Sequence, residues 1–403
     1  MMSSICRRLG SAVATVVLVA SLMCVTPPGQ ARATVPVGYG QRGVNIVTLM
    51  TQAVTIKDHP ELAGYGEPQS TYTKLASYGH KLIRLNISWD YLQPGIAEGN
   101  LEFFEPYMTV IRAEVAKIKA AGMRVVIDLH NGCEWTKPGT TTTLVCGAGL
   151  TTAITNDVWR KLSTAFKDEP AVYAYDLFNE PVRFDHPTRA NVRVPGNQPY
   201  ETYKTHVNQV VKAIRDNGDS TTIWVEPLCC YWFFDFDDTD PAGGWVNDPL
   251  NKIVYSQHMY PVLDSTNGEP YNPEKLDPNY EVPKGSIFAD RGYTWGFLWR
   301  LDNFGNWCNA HNLKCSIGEV GWYGDYNQTP ASAAGWNTLA DDWYWKADYY
   351  GLDVTYFGVN TADRQPLLAY DAPGGPPWYP ASGISMKRPQ ATIIEKPGHL
   401  SKP

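Results

Sequence analysis

Eight short runs rich in Val, Ile and aromatic residues alternate with longer stretches of helical period between about residue 43 and residue 360, and that alternation narrows the fold more than any other feature of the chain. The runs are Gly43 to Leu49, Lys81 to Ile87, Arg124 to Leu129, Val172 to Phe178, Thr222 to Val225, Ile253 to His258, Lys314 to Ile317 and Val354 to Val359. Between them lie amphipathic segments such as Glu105 to Ala121, Asp157 to Lys167, Tyr200 to Asp216, Trp295 to His311 and Ala331 to Tyr350, each long enough to cross back over a parallel strand. An open doubly wound sheet would carry a glycine-rich phosphate turn directly after its first strand. Here the cluster Gly38-Tyr39-Gly40 with Gly43 precedes that strand, which favours a single-domain α/β (β/α)8 barrel.

The first 33 residues read as a cleaved signal peptide. Arg7-Arg8 precedes an apolar run and then Ala31-Arg32-Ala33, so the catalytic domain is expected to span residues 34–403 and the protein to be secreted, by the general rather than the twin-arginine route. The segment from about residue 371 is rich in Pro and Gly and reads as an irregular closing wrap. Removing Arg7, Arg8 and Arg32 takes the formal charge from −7 to −10. Such a chain lacks the clustered cations that nucleic acid requires, and its body carries no apolar run of membrane-spanning length. Six cysteines follow the signal, and their even number in an exported chain favours disulfides. The near pairs Cys133–Cys146 and Cys308–Cys315 are expected, while Cys229-Cys230 either bridge each other or stay reduced.

In a parallel barrel the reacting groups sit where the strands end at the C-terminal rim. Polar residues stand there on strand after strand: Arg84 and Asn86 with Trp89, Asp128 with His130 and Asn131, Asn179-Glu180-Pro181, Glu226-Pro227, His258 with Tyr260, and Glu319 followed by Trp322. Two carboxyls facing each other across one pocket can break an acetal, one protonating the leaving oxygen and the other attacking the anomeric carbon or activating water. Glu226 competes with Glu180 for the acid role, but no Asn precedes it. It reads as a substrate contact or a supporting residue, a purely structural role being equally open. Asp128 and Asp176, inside apolar strands, read as groups that orient their neighbours. A zinc site of His130, His258 and Asp128 lacks paired histidines at helical spacing, so no metal and no cofactor is expected.

Asn179-Glu180-Pro181 on the fourth strand, taken with Glu319 on the seventh, resembles the family-5 glycoside hydrolases, the cellulase family A of the four/seven barrel group, over roughly residues 40 to 360. The resemblance implies that Glu180 is the acid/base and Glu319 the nucleophile of a retaining hydrolase acting on a β-linked polysaccharide. It also implies that Asn179 holds the sugar 2-hydroxyl, that Arg84 and Tyr260 flank the nucleophile, and that His130 and His258 face the sugar and the acid/base. Asn131 joins them as a substrate contact, and Trp89 and Trp322, directly after strand ends, are candidate sugar platforms. Trp135, Trp295 and Trp343 are further candidates, with Trp295 and Trp343, on helices, better read as packing. Ile127 to Asn131 and His258 to Asp264 are similar to the endo-cellulase branch. Ser88-Trp89-Asp90 and Tyr175 to Phe178 also look like the endoglycoceramidase branch, and a β-mannanase, a transglycosylase and a non-catalytic glycan-binding protein stay open. The family places a Trp on strand eight, where this chain has Tyr356-Phe357. A monomer is expected.

Overall fold

The computed structural model describes residues 40–181, 199–228, 236–261, 269–277, 279, 292–326, 328–359, 365–371 and 380–396. The signal segment, Cys229-Cys230, and residues 372–379 and 397–403 of the wrap lie outside the described residues. Eight parallel strands form the barrel: β1 Arg42–Ile46, β2 Leu82–Ile87, β3 Arg124–Leu129, β4 Val172–Asp176, β5 Thr222–Val225, β6 Ile253–Met259, β7 Lys314–Val320 and β8 Asp353–Val359. Each pairs with the next in sequence, and β8 pairs back onto β1 through Arg42 opposite Val354 and Gly43 opposite Thr355, which closes the ring. Every strand read from the sequence is present.

The connecting helices form where the period and the caps agree. Thr151 accepts from the Ile154 N–H at the start of the helix Thr152–Phe166, which buries Thr155, Val158, Trp159, Leu162, Ser163 and Phe166 at three- and four-residue spacing. Thr329 caps Pro330–Tyr349 in the same way, with Pro330 in the first turn, where its missing N–H costs nothing. The segment read as Trp295 to His311 is a helix of two kinds, a wide turn over Thr294–Trp299 followed by the α-helix Arg300–Ala310. Disulfides join Cys133 to Cys146 and Cys308 to Cys315. The second bridges the end of that helix to the start of β7. The first ties a small sheet, Glu134–Thr136 with Thr143–Cys146, to the loop that follows β3.

Inside the barrel the strands change character along their length. Val126, Ala174, Trp224 and Val254 pack as one buried apolar cluster. Two residues further toward the C-terminal rim, on the same face, stand Asp128, Asp176, Glu226 and Ser256.

Candidate active site

Arg84 organises the mouth of the barrel. Its side chain is fully buried, and its donors are divided among groups on, or directly after, five strands, β1, β3, β4, β5 and β7. Nε donates to Asp176 Oδ2 (2.9 Å), Nη1 to Glu319 Oε1 (2.8 Å) and Asn45 Oδ1 (3.0 Å), and Nη2 to Asn179 Oδ1 (2.9 Å) and Glu226 Oε1 (3.0 Å), with Asp128 Oδ1 also 3.0 Å from Nη2. A planar fork of five N–H groups suits this many acceptors as a lysine could not. Burial opposes its charge, yet Asp128, Asp176, Glu226 and Glu319 push its pKa well above the ordinary arginine value. Asp176 goes the other way. Burial, then the nearby Glu226 and Asp128, outweigh Arg84 and His258 and raise its carboxyl well above the usual range.

Glu319 reaches this layer because β7 is irregular. Ser316 lies opposite Ser256 and Ile317 opposite Gln257, but it is Glu319 that lies opposite His258, so Gly318 is an extra residue. Without it, strict alternation would turn Glu319 away from the face shared by Ser316. A side chain at Gly318 would also meet Ser256 Oγ at 2.8 Å and His258 Nε2 at 2.9 Å. The glutamate is held on both oxygens, Oε1 by Arg84 and Oε2 by the Tyr260 hydroxyl at 2.7 Å.

Glu180 stands at the end of β4 in a left-handed conformation, φ +44°, which a non-glycine residue adopts only under constraint. The constraint is visible. Its N–H donates to Glu226 Oε2 at 2.7 Å, and its Oε1 is 2.9 Å from His258 Nδ1. Its side chain keeps 36% exposure, against 6% for Glu319, so it is the more open of the pair. Enclosure raises its pKa, but the hydrogen bond and charge of His258, followed by His130 and Arg84, outweigh that and leave it below the ordinary glutamate value. His258 lies between carboxylates on both ring nitrogens, Nδ1 toward Glu180 and Nε2 3.1 Å from Glu226 Oε1. Burial lowers its proton affinity, but Glu226, Glu319 and Glu180 more than compensate, and its pKa stands well above the usual histidine value. One oxygen from each of Glu180 and Glu319 and one His258 nitrogen all lie within 4.8 Å of one another.

Of the other residues singled out in the sequence, Asn179 joins the group through Arg84. That bond orients its amide with Nδ2 as the remaining donor. His130 Nδ1 lies 2.6 Å from Asp128 Oδ2 and 2.6 Å from Asn86 Nδ2, donating to the first or accepting from the second according to its tautomer. Asn131 is engaged elsewhere: Oδ1 accepts the Trp89 N–H (2.8 Å) and Nδ2 donates to Asp90 (3.0 Å), clasping the turn after β2 to the loop after β3.

The two tryptophans expected as sugar platforms are not platforms. Trp89 is wholly buried, its indole N–H bonded to Gln93 Oε1 at 2.8 Å and its ring against Phe178. Trp322 is 1% exposed, bonded to Asn337 Oδ1 and packed edge-on to Tyr356 and Tyr344. In both, a side-chain acceptor from further along the chain, Gln93 just four residues on and Asn337 on the helix Pro330–Tyr349, satisfies the N–H and lets the ring sink into the core. Trp135 and Trp343 are buried as well, the latter stacked on Phe297. On β8 the Tyr356 ring is fully buried, and Phe357 alone of the pair keeps some exposure. Asn45 was missed in the sequence. Its only signal was a lone amide between Val44 and Ile46.

A closed barrel with two glutamates facing each other at the ends of β4 and β7, backed by a shared arginine, is the equipment of a barrel glycosidase. Residues 45–363 match the description Cellulase (glycosyl hydrolase family 5), and the chain belongs to that family of glycoside hydrolases. Among solved structures it is similar to the Cel5A endoglucanase of Pseudomonas stutzeri in complex with cellobiose, at 19% identity and a TM-score of 0.61, covering 88% of this chain and 90% of that one. It is also similar to an endo-β-1,4-glucanase of Xanthomonas axonopodis pv. citri, at 19% identity and a TM-score of 0.57, covering 82% and 89%. At such identities the likeness is one of fold. A Hydra vulgaris endoglycoceramidase is 34% identical over 106 residues, which amount to 25% of this chain and 19% of that protein. No helix among the described residues is long and apolar enough to cross a membrane.

Proposed function

We propose that this glycoside hydrolase is a secreted, retaining endo-β-1,4-glucanase in which Glu319 is the nucleophile and Glu180 the acid/base. The observation that carries the reading is the approach of the two carboxylates, one oxygen of each within 4.8 Å across the barrel mouth. So close an approach accords with the short carboxyl separation of the covalent route, ~5–5.5 Å, rather than the ~6.5–9.5 Å of inversion. The different settings of the two groups divide the labour. Glu319, clamped by a guanidinium and a phenol, is held and aimed, whereas the more open Glu180 can exchange a proton with substrate and solvent.

In the first step Glu319 attacks the anomeric carbon as the bond to the leaving oxygen breaks, and Glu180 gives that oxygen its proton. In the second, Glu180 takes a proton from water, the hydroxide attacks the same carbon, and Glu319 is released. Asn179, held by Arg84, offers its amide N–H to the 2-hydroxyl. Secretion accords with the two disulfides. A second reading, a glycolipid-cleaving enzyme with the same chemistry, is favoured by the short stretch of 34% identity to the endoglycoceramidase.

Reducing-sugar release by the mature protein on carboxymethyl-cellulose, barley β-glucan, mannan and a ganglioside separates these readings. Release from the two glucans is expected, with Glu180→Gln and Glu319→Gln each lowering kcat by about 10³-fold or more while the proteins stay folded. Release from the ganglioside alone would select the second reading, and unimpaired turnover in either variant would overturn the mechanism.

A further inference from the structure

Glu226 belongs to none of the roles assigned above, yet it touches three of the residues that carry them. It stands one residue beyond β5 with 2% exposure. Oε2 accepts the Glu180 N–H at 2.7 Å, while Oε1 lies 3.0 Å from Arg84 Nη2 and 3.1 Å from His258 Nε2. Its own backbone oxygen accepts from the Tyr203 hydroxyl at 2.9 Å, which anchors it to the helix Pro199–Asp216. Buried and turned toward these partners, it acts on them rather than on substrate, correcting the expectation of a substrate contact.

We propose that Glu226 is a positioning residue for this reaction: its carboxylate holds the Glu180 backbone in its left-handed turn and keeps His258 protonated on both nitrogens, and so sets the pH range over which Glu180 carries its catalytic proton. The inference rests on Glu180 being the acid/base. The geometry supplies the reason. Nδ1 lies 2.9 Å from Glu180 Oε1 in hydrogen-bond geometry, while Nε2 makes no hydrogen bond among the described residues and meets Glu226 Oε1 as a charge contact at 3.1 Å, so an imidazolium here has an anion beside each nitrogen. The other charged and titratable groups around this pair are Arg84 on β2, His130 and Asp128 from β3, Asp176 on β4, Glu319 on β7 and Tyr203 from the outer helix. Arg84 is shared among several acids, and Glu226 Oε1, which it also contacts, is the anion beside the far nitrogen of His258. Through the reaction His258 keeps its proton, and the proton that moves is that of Glu180.

In Glu226→Gln His258 gives up its proton at lower pH, and Glu180 then loses the cation that holds its pKa down. The alkaline limb of kcat/KM should therefore move to higher pH by about one unit, and kcat should fall about 10²-fold as Glu180 loses its backbone anchor, with KM changed far less. Glu226→Asp, which keeps the charge but shortens the reach, should lose kcat and leave the limb in place. The His258 imidazole ¹⁵N signals, read against pH, test the same claim without turnover. The ring should stay doubly protonated at pH 7 in the wild type and lose its proton at lower pH in Glu226→Gln. A folded Glu226→Gln protein with unmoved limb and unmoved imidazole titration would overturn the proposal. So would a wild-type His258 that is neutral at pH 7, a measurement that holds even where the variant fails to fold. Wild-type protein inactive on every glycan, with the imidazole shift intact, would sink the proposed function and leave the Glu226–His258 coupling standing.

Discussion

The lower and upper layers of the barrel interior lie two residues apart on the same strands and are built from opposite materials. Val126, Ala174, Trp224 and Val254 fill the lower layer with carbon, and Asp128, Asp176, Glu226 and Ser256, with Arg84 among them, fill the layer above with charge and hydroxyl. Both are buried. The lower layer is stabilised by volume and contact, so it tolerates changes of shape poorly and is indifferent to pH. The upper layer desolvates an arginine and several acids, a cost recovered only while each group has its partner, and its return is two glutamates held in a fixed relation at the rim. The first layer explains why the barrel stands, the second why it can react.

Substitutions that separate volume from charge sharpen this contrast. Arg84→Leu should have the largest effect, since it keeps much of the volume and leaves Asp128, Asp176, Glu226 and Glu319 facing one another. Loss of about 3–5 kcal/mol of stability is expected together with loss of measurable turnover, checked by denaturant unfolding and by kcat. Trp224→Ala should cost a similar or slightly smaller stability, about 3–5 kcal/mol, through the cavity it opens, while kcat of the folded fraction changes only a few-fold. An Arg84 variant that is stable and active, or a Trp224 variant that folds well but cannot turn over, would erase the distinction between the layers.

The smallest effect lies outside both. His80 is buried near the start of β2, and burial, with Lys387 and Arg42 adding to it, lowers its pKa to about 3; burial likewise lowers His206 to about 4. Both are neutral in the folded chain and take up protons near pH 6.5 when it unfolds. The unfolded state therefore binds more protons below that pH, and stability falls as pH drops from about 6.5 toward 4, by up to about 1.4 kcal/mol per pH unit for each group. Melting curves between pH 7 and 4.5 should show this slope, and His80→Gln should flatten it. A slope identical in the variant would place the acid sensitivity elsewhere.

Much of this was legible in the sequence, for reasons that also explain what was not. The strands could be read because each is an apolar run of barrel length, Glu180, Glu319, His258 and Tyr260 because each sits where such a run stops, and Arg84 because it is a lone charge inside one. β7 was cut short at Ile317, since Gly318 looks like a strand end when it is a bulge within one. Trp89 and Trp322 were misread because position after a strand does not say which way a ring turns. That is decided by Gln93 and Asn337, which offer the indoles an acceptor inside the core. Asn45 was missed, and the role of Glu226 was left open, for a related reason, both being fixed by partners on other strands, up to 142 positions away in the case of Glu226 and Arg84.

The central claim, that Glu319 forms a covalent bond to the sugar opposite an acid at Glu180, is tested most directly by incubating the mature protein with a 2-deoxy-2-fluoro-β-cellobioside bearing an activated leaving group and mapping the label by peptide mass spectrometry. The account predicts one glycosyl unit per chain, on the peptide that contains Glu319, formed with loss of activity and absent in Glu319→Gln. A label on Glu180 or Glu226, or steady turnover of a cellobioside with inversion at the anomeric carbon and no label at all, would contradict it.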